Sequence, residues 1–233
     1  GVRASVAPRT LIKGSTPAVY YVGDNGSRYV FPNDKIYFSW FNDFSGVKTI
    51  SDAELANYPL GGNIFYRPGT RLVKIESDPK VYAVAPQGLL YWVASEGAAA
   101  ALYGASWAKR VDDLSAAFFG DYFAMGELDG TEHPAGTLIK YAGASEIYLL
   151  VDEAGTIQRR PVGSAAFTAM RYKNDNVLEI SASFTYPESG AITSADTQFA
   201  DAGQFAFSRP VGVTITRGDS GSRVLDRTSS AAA

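Results

Sequence analysis

The residues able to do chemistry are few. Ser220 sits in "GDSG" (218–221), a match to the nucleophile segment of trypsin-like proteases, but a serine nucleophile needs a general base beside it. The single histidine of the chain, His133, stands in "DGTEHPAG", next to a proline and at a segment boundary. A hydrolase reading on this pair is therefore set aside. "RGD" (217–219) matches an integrin-binding tripeptide and reads more simply as a charged turn. Asn25-Gly26-Ser27 fits the acceptor pattern for N-glycosylation, although a hairpin turn explains the same residues.

Metal chemistry has little to work with. There is no cysteine and one histidine. Asp112-Asp113, Asp152-Glu153 and the Asp129–Glu132 pair are loop carboxylates of a kind that bind Ca2+, but no segment has the spacing of an EF-hand loop, and solvated acidic turns account for them. No glycine loop of the phosphate- or dinucleotide-binding kind follows a strand, so no cofactor is expected. The 24 acidic residues contain no pair whose position stands out for glycoside hydrolysis. The expectation is a protein without catalytic, cofactor-binding or metal-ligating residues.

The composition agrees with a folded, non-nucleic-acid-binding chain. Its 233 residues are 46% hydrophobic and 19% charged, with a net charge of −3. That balance supports a buried core and gives phosphate backbones nothing to attract. No apolar run reaches the roughly 20 residues of a membrane-spanning helix. The absence of cysteine leaves the compartment open. The chain begins at Gly1, which suits removal of a signal peptide or trimming of a longer chain.

Organisation is where the sequence speaks most clearly. "VYYVGDNGSRYVFP" (19–32), "VYAVAPQGLLYWVA" (81–94) and "IYLLVDEAGTIQRRPV" (147–162) share a β-branched residue, a tyrosine and a turn glycine: Gly26, Gly88, Gly155. Each reads as a hairpin. Upstream lie "APRTLIK" (7–13), "PGTRLVK" (68–74) and "PAGTLIK" (134–140), and downstream "VKTIS" (47–51), "VDDLS" (111–115) and "VLEIS" (177–181). Lys13, Lys74 and Lys140 are 61 and 66 residues apart, and Val47, Val111 and Val177 are 64 and 66 apart. Landmarks recurring in one order predict three tandem units. Short helices are expected at 33–41, 95–110 and 163–172, with Ser95 as an N-cap, and a capping box at Ser51 and Glu54.

The expected fold is α+β: three tandem units of β-hairpin plus short helix, with pseudo-threefold symmetry or a propeller-like closure as ways to complete it, and a C-terminal strand tail. The boundaries are an N-terminal arm at 1–10, units at 11–66, 67–133 and 134–193, and the tail at 194–233. A unit of this size is marginal alone and gains its core by packing on its neighbours. In the tail, "VGVTITR" alternates as a strand should.

"RYVFPND", "VKTISDAELANYPLGGN" and "YRPGTRLVKIESDPKVYAV" carry a resemblance over roughly residues 11–193. They are similar to repeat modules of predicted exported surface proteins of candidate-phyla bacteria. The resemblance implies export, a cell-surface or S-layer-like setting, and no specific catalytic or binding residues. The third unit departs most, with "RRPVGSAAF" in place of "YVFPNDKIYF", and the tail has no counterpart.

Together these readings give a non-enzymatic extracellular structural protein that self-assembles into a filament, tube or surface lattice through its terminal segments. The expected partner is a second copy of itself. Interface residues are assigned to Val2, Val6 and Leu11 in the arm and Val211, Val213 and Ile215 in the tail strand. The alternative is a carbohydrate-binding or adhesion module at the cell surface, with Trp40, Trp92 and Trp107 exposed for sugar stacking on polysaccharide.

Overall fold

A computed structural model describes residues 6–207. It is a mixed α+β structure with three separate sheets and a few short helices. The first sheet holds β1 (Leu11–Lys13), β2 (Tyr20–Val22), β3 (Arg28–Val30), β4 (Val47–Thr49) and β5 (Leu60–Asn63) in the order β4-β1-β2-β3-β5. The second holds β6 (Leu72–Ile75), β7 (Asp78–Ala85), β8 (Leu89–Val93), β9 (Val111–Asp113) and β10 (Phe123–Leu128) in the order β10-β8-β7-β6-β9. The third holds β11 (Leu138–Tyr141), β12 (Tyr148–Glu153), β13 (Thr156–Pro161) and β14 (Val177–Ile180) in the order β13-β12-β11-β14.

The pairing senses match from sheet to sheet. β1, β6 and β11 each pair antiparallel with the following strand and parallel with a later one: Leu11 faces Val47, Leu72 faces Val111, and Leu138 faces Val177. β5 and β10 run parallel to the hairpin strands β3 and β8. The third sheet has only two isolated bridges at that place, Arg159 with Glu188 and Val162 with Ile192. None of the three sheets closes on itself, so each keeps its edges, unlike a barrel.

Local chemistry explains the turns. Gly26, Gly88 and Gly155 have φ of 74°, 72° and 83°, the left-handed region that favours glycine. At the second and third hairpins the preceding Gln87 and Ala154 are left-handed too. The first hairpin differs: Asn25 keeps a negative φ. Its side chain holds the turn instead, accepting from the Ser27 amide at 3.0 Å and donating to the Tyr29 hydroxyl at 2.8 Å.

The expected helices form as α1 (Asp34–Trp40), α3 (Glu96–Tyr103) and α5 (Ser164–Ala169), joined by one-turn helices α2 (Asp52–Leu55) and α4 (Ala116–Phe119). Asn33, Ser51, Ser95 and Ser115 accept amides of the first turn, as helix N-caps do. Residues 181–183 form a serine turn in place of a further helix.

The two largest cores are shared between sheets. One cluster joins Tyr21, Tyr37 and Trp40 to Val73, Val84, Leu90 and Tyr122. A second joins Leu72, Ala98 and Leu102 to Ile139, Tyr148 and Leu178. Gly69 and Gly136 meet back to back at the junction of the second and third sheets. A Cβ on Gly69 would lie 2.3 Å from the Gly136 carbonyl oxygen, and both residues have positive φ. Only glycine fits such a contact.

Candidate functional site

After the third sheet the chain makes two 3-10 turns, Thr197–Ala200 and Ala202–Phe205, and returns to the first sheet. Asp201 anchors this segment. It is 3% exposed and accepts from the Tyr21 hydroxyl at 2.8 Å and the Gly203 amide at 3.0 Å, while Arg9 forms an ion pair with it at 3.3 Å. Burial, followed by the hydrogen bond to Asp201, pushes the Tyr21 hydroxyl far above its usual pKa, so it stays a donor. The Phe205 ring packs 5.2 Å from Trp40.

The segment then becomes strand-like. Ala206 bridges Ile64 in antiparallel sense, with the Phe65 amide donating to the Phe205 carbonyl and the Phe207 amide to the Asn63 carbonyl. The outer side of the chain at Ile64 is thereby covered. Among the described residues, the corresponding place in the second sheet is not. There β10 pairs with β8 on one side only, and Ala124 to Glu127 are exposed, Met125 by 61%. The opposite edges, β4, β9 and β14, are three or four residues long and carry Lys48, Asp112, Asp113 and Glu179, which blunts them against further pairing. β10 is longer and carries one charge, Glu127. Phe207 ends the described chain 6.4 Å from Phe123, at the start of this open edge.

The residues singled out from the sequence fall in different places. Leu11 is buried in β1 and belongs to the core. Val6 packs, partly buried, against Ile12, Val22, Leu55 and Tyr58, and its amide donates to the Tyr58 hydroxyl at 2.8 Å. Val2, Val211, Val213, Ile215, Ser220 and the "RGD" lie outside the described residues. Trp40 corrects the expectation of an exposed aromatic. It is 1% exposed, because it sits on the inner side of α1 and donates from Nε1 to the Phe65 carbonyl at 2.9 Å. Trp92 is half-buried with the Lys80 amine 4.9 Å over its ring, and Trp107 is half-buried against the second core.

His133 is fully buried between the Tyr186 hydroxyl, 2.8 Å from Nδ1, and the Leu102 carbonyl, 2.7 Å from Nε2. The carbonyl can only accept, so Nε2 carries the hydrogen and Nδ1 accepts from the tyrosine. Burial holds the imidazole pKa below its usual value. Both nitrogens are committed to the fold, which removes it as a general base. Among the described residues no group of three or more histidines and carboxylates is placed to hold a metal ion. No helix among them is long and apolar enough to cross a membrane.

Sequence reasoning missed Asp201, β10 and the seat for residues 201–207. Asp201 follows "TQFA" with no motif around it, and only its burial marks it.

No protein-family model matches the chain, and no curated protein does. Among solved structures, the periplasmic assembly of the ESX-5 inner-membrane complex overlaps it with a TM-score of 0.20 and 14% identity, over 66% of this chain and 52% of that one. The chain thus spans about half the length of that structure's chain, and overlap this slight carries no argument.

Proposed function

We propose that the chain is a non-catalytic extracellular module of three like units that assembles with copies of itself into a filament, tube or surface lattice. The observation that carries this reading is the exit of the chain at Phe207, beside the open edge of β10. An exposed edge strand is a template for another strand, and strand addition is a common mode of association. Residues 211–215, Val-Gly-Val-Thr-Ile, have the alternation such a strand needs. Given to a neighbour's β10, they make a head-to-tail contact, and contacts of that kind that do not close produce open polymers. The matching strand order of the three sheets supports three like units, and the commitment of His133 to the core supports the absence of acid–base chemistry there. The glycan-binding alternative loses Trp40 to the core and keeps only half-buried tryptophans.

Light scattering and negative-stain microscopy test the reading on three proteins: the full chain, a chain lacking residues 209–233, and Met125→Lys, which places a charge on the edge. Ordered polymers are expected from the first and monomers from the other two. A monomeric full chain whose β10 amides are protected from hydrogen exchange would mean that the tail covers its own edge, and would overturn the proposal. Polymers that survive both changes would overturn it as well.

A further inference from the structure

The loop between β5 and β6 carries a guanidinium into the middle of the molecule. Arg67 is 1% exposed, with its guanidinium 3.5 Å from the Tyr172 ring centre and 5.1 Å from that of Trp40. Its Nη2 donates to the Phe199 carbonyl at 3.0 Å, and its Nη1 makes a longer contact of 3.4 Å to the Arg171 carbonyl. The third nitrogen, Nε, has no acceptor. No carboxylate acts on the guanidinium among the described residues. Burial lowers its pKa, Tyr172 acts against that, and the nearby Arg171 acts with it. Aromatic faces and two carbonyls offset part of the cost of burying a cation, but none of them supplies the opposite charge that buried ions ordinarily require.

A cavity of about 260 Å³ lies against this group. Trp40 of the first sheet's helix, Pro68 and Pro86 of the second sheet's loops, Leu149 of the third sheet and Phe205 of the returning segment line it. The exposed Gln87 and Asp152, on two hairpin tips, line it as well. Asp152 is the one carboxylate of the lining, and its Oδ1 is held by the Gly155 amide at 2.7 Å. An apolar chamber with one buried cation in its wall is the arrangement of a small-molecule site. Its volume lies below the roughly 300 Å³ at which drug-sized sites begin.

We propose that this cavity binds a small organic carboxylate, with the carboxyl group pairing with Arg67 and the apolar body lying against Pro68, Leu149 and Phe205. A planar monoanion suits a single guanidinium whose Nε lacks an acceptor. A phosphate dianion would bring more charge than the wall can match, with Asp152 of the lining repelling it.

The test titrates the full chain with benzoate, cyclohexanecarboxylate and butyrate, read by NMR chemical shifts, against the corresponding neutral amides. At least one acid is expected to bind saturably and at least tenfold more tightly than its amide. Arg67→Met should abolish that preference, and Val151→Phe, which narrows the cavity without touching Arg67, should weaken acid and amide alike. If Arg67→Met fails to fold, the acid–amide comparison and Val151→Phe decide the question. No saturable binding by any of the three acids, or equal binding of acid and amide, would overturn the proposal.

Discussion

His133 shows how one side chain couples the fold to pH. The usual imidazole pKa is near 6.5, and burial holds the folded value lower. The unfolded chain therefore takes up a proton at a pH where the folded chain does not. Stability is complete above about pH 6.5 and falls as the pH drops below it, with a slope of at most about 1.4 kcal/mol per pH unit. His133 is the only histidine, so the effect has one source. The carboxylates held below their usual 3.8, Asp43, Asp52, Asp113 and Asp129, titrate under this window. Urea midpoints measured between pH 7 and 5 should decline for the natural chain, and His133→Gln should flatten that decline. An unchanged slope in the variant would mean that the proton is taken up elsewhere.

At the scale of elements, the returning segment 197–207 depends on Asp201. Asp201→Ala leaves the Tyr21 hydroxyl and the Gly203 amide without their acceptor and removes one of the two carboxylate partners of Arg9, leaving Asp24. The expected loss is about 2–3 kcal/mol, seen as a lower urea midpoint with little change in its slope. Elements of this protein were legible in the sequence to unequal degrees. The hairpins were plain, because Gly26, Gly88 and Gly155 mark their turns within β-branched and aromatic strands. Ser51 and Ser95 marked helix starts for the same local reason. β5 was hidden, since "LGGN" has almost no strand propensity. Its glycines answer to packing: a Cβ on Gly61 would lie 2.6 Å from the Tyr29 ring. Trp40 was misplaced because sequence shows that an aromatic is present, not which side of a seven-residue helix faces the core. The cavity beside Arg67 was illegible for a related reason, as its walls come from a helix after the first hairpin, loops around the second sheet, a strand of the third and the returning segment.

At the scale of the whole molecule, the two largest clusters bind the first sheet to the second and the second to the third, beside smaller clusters within the first and third sheets. Tyr66 donates its amide to the Tyr122 hydroxyl at 3.0 Å, and Lys35 of α1 pairs with Asp112 of β9 at 3.4 Å. Unfolding is therefore expected as one transition, with tryptophan fluorescence and far-ultraviolet circular dichroism giving coincident curves; separated curves would mean that the sheets melt independently. The ion pair of Arg9 with Asp201 joins nearly the two ends of the described chain. During synthesis at roughly 5–20 residues per second, Arg9 is made some 10–40 s before Asp201. Throughout that interval Tyr21 lacks its acceptor and Ile64 its covering strand, so the first part made is the last to be completed. A nascent chain in this state is open to whatever meets it first, which gives a holding chaperone its longest opportunity at the N-terminal sheet.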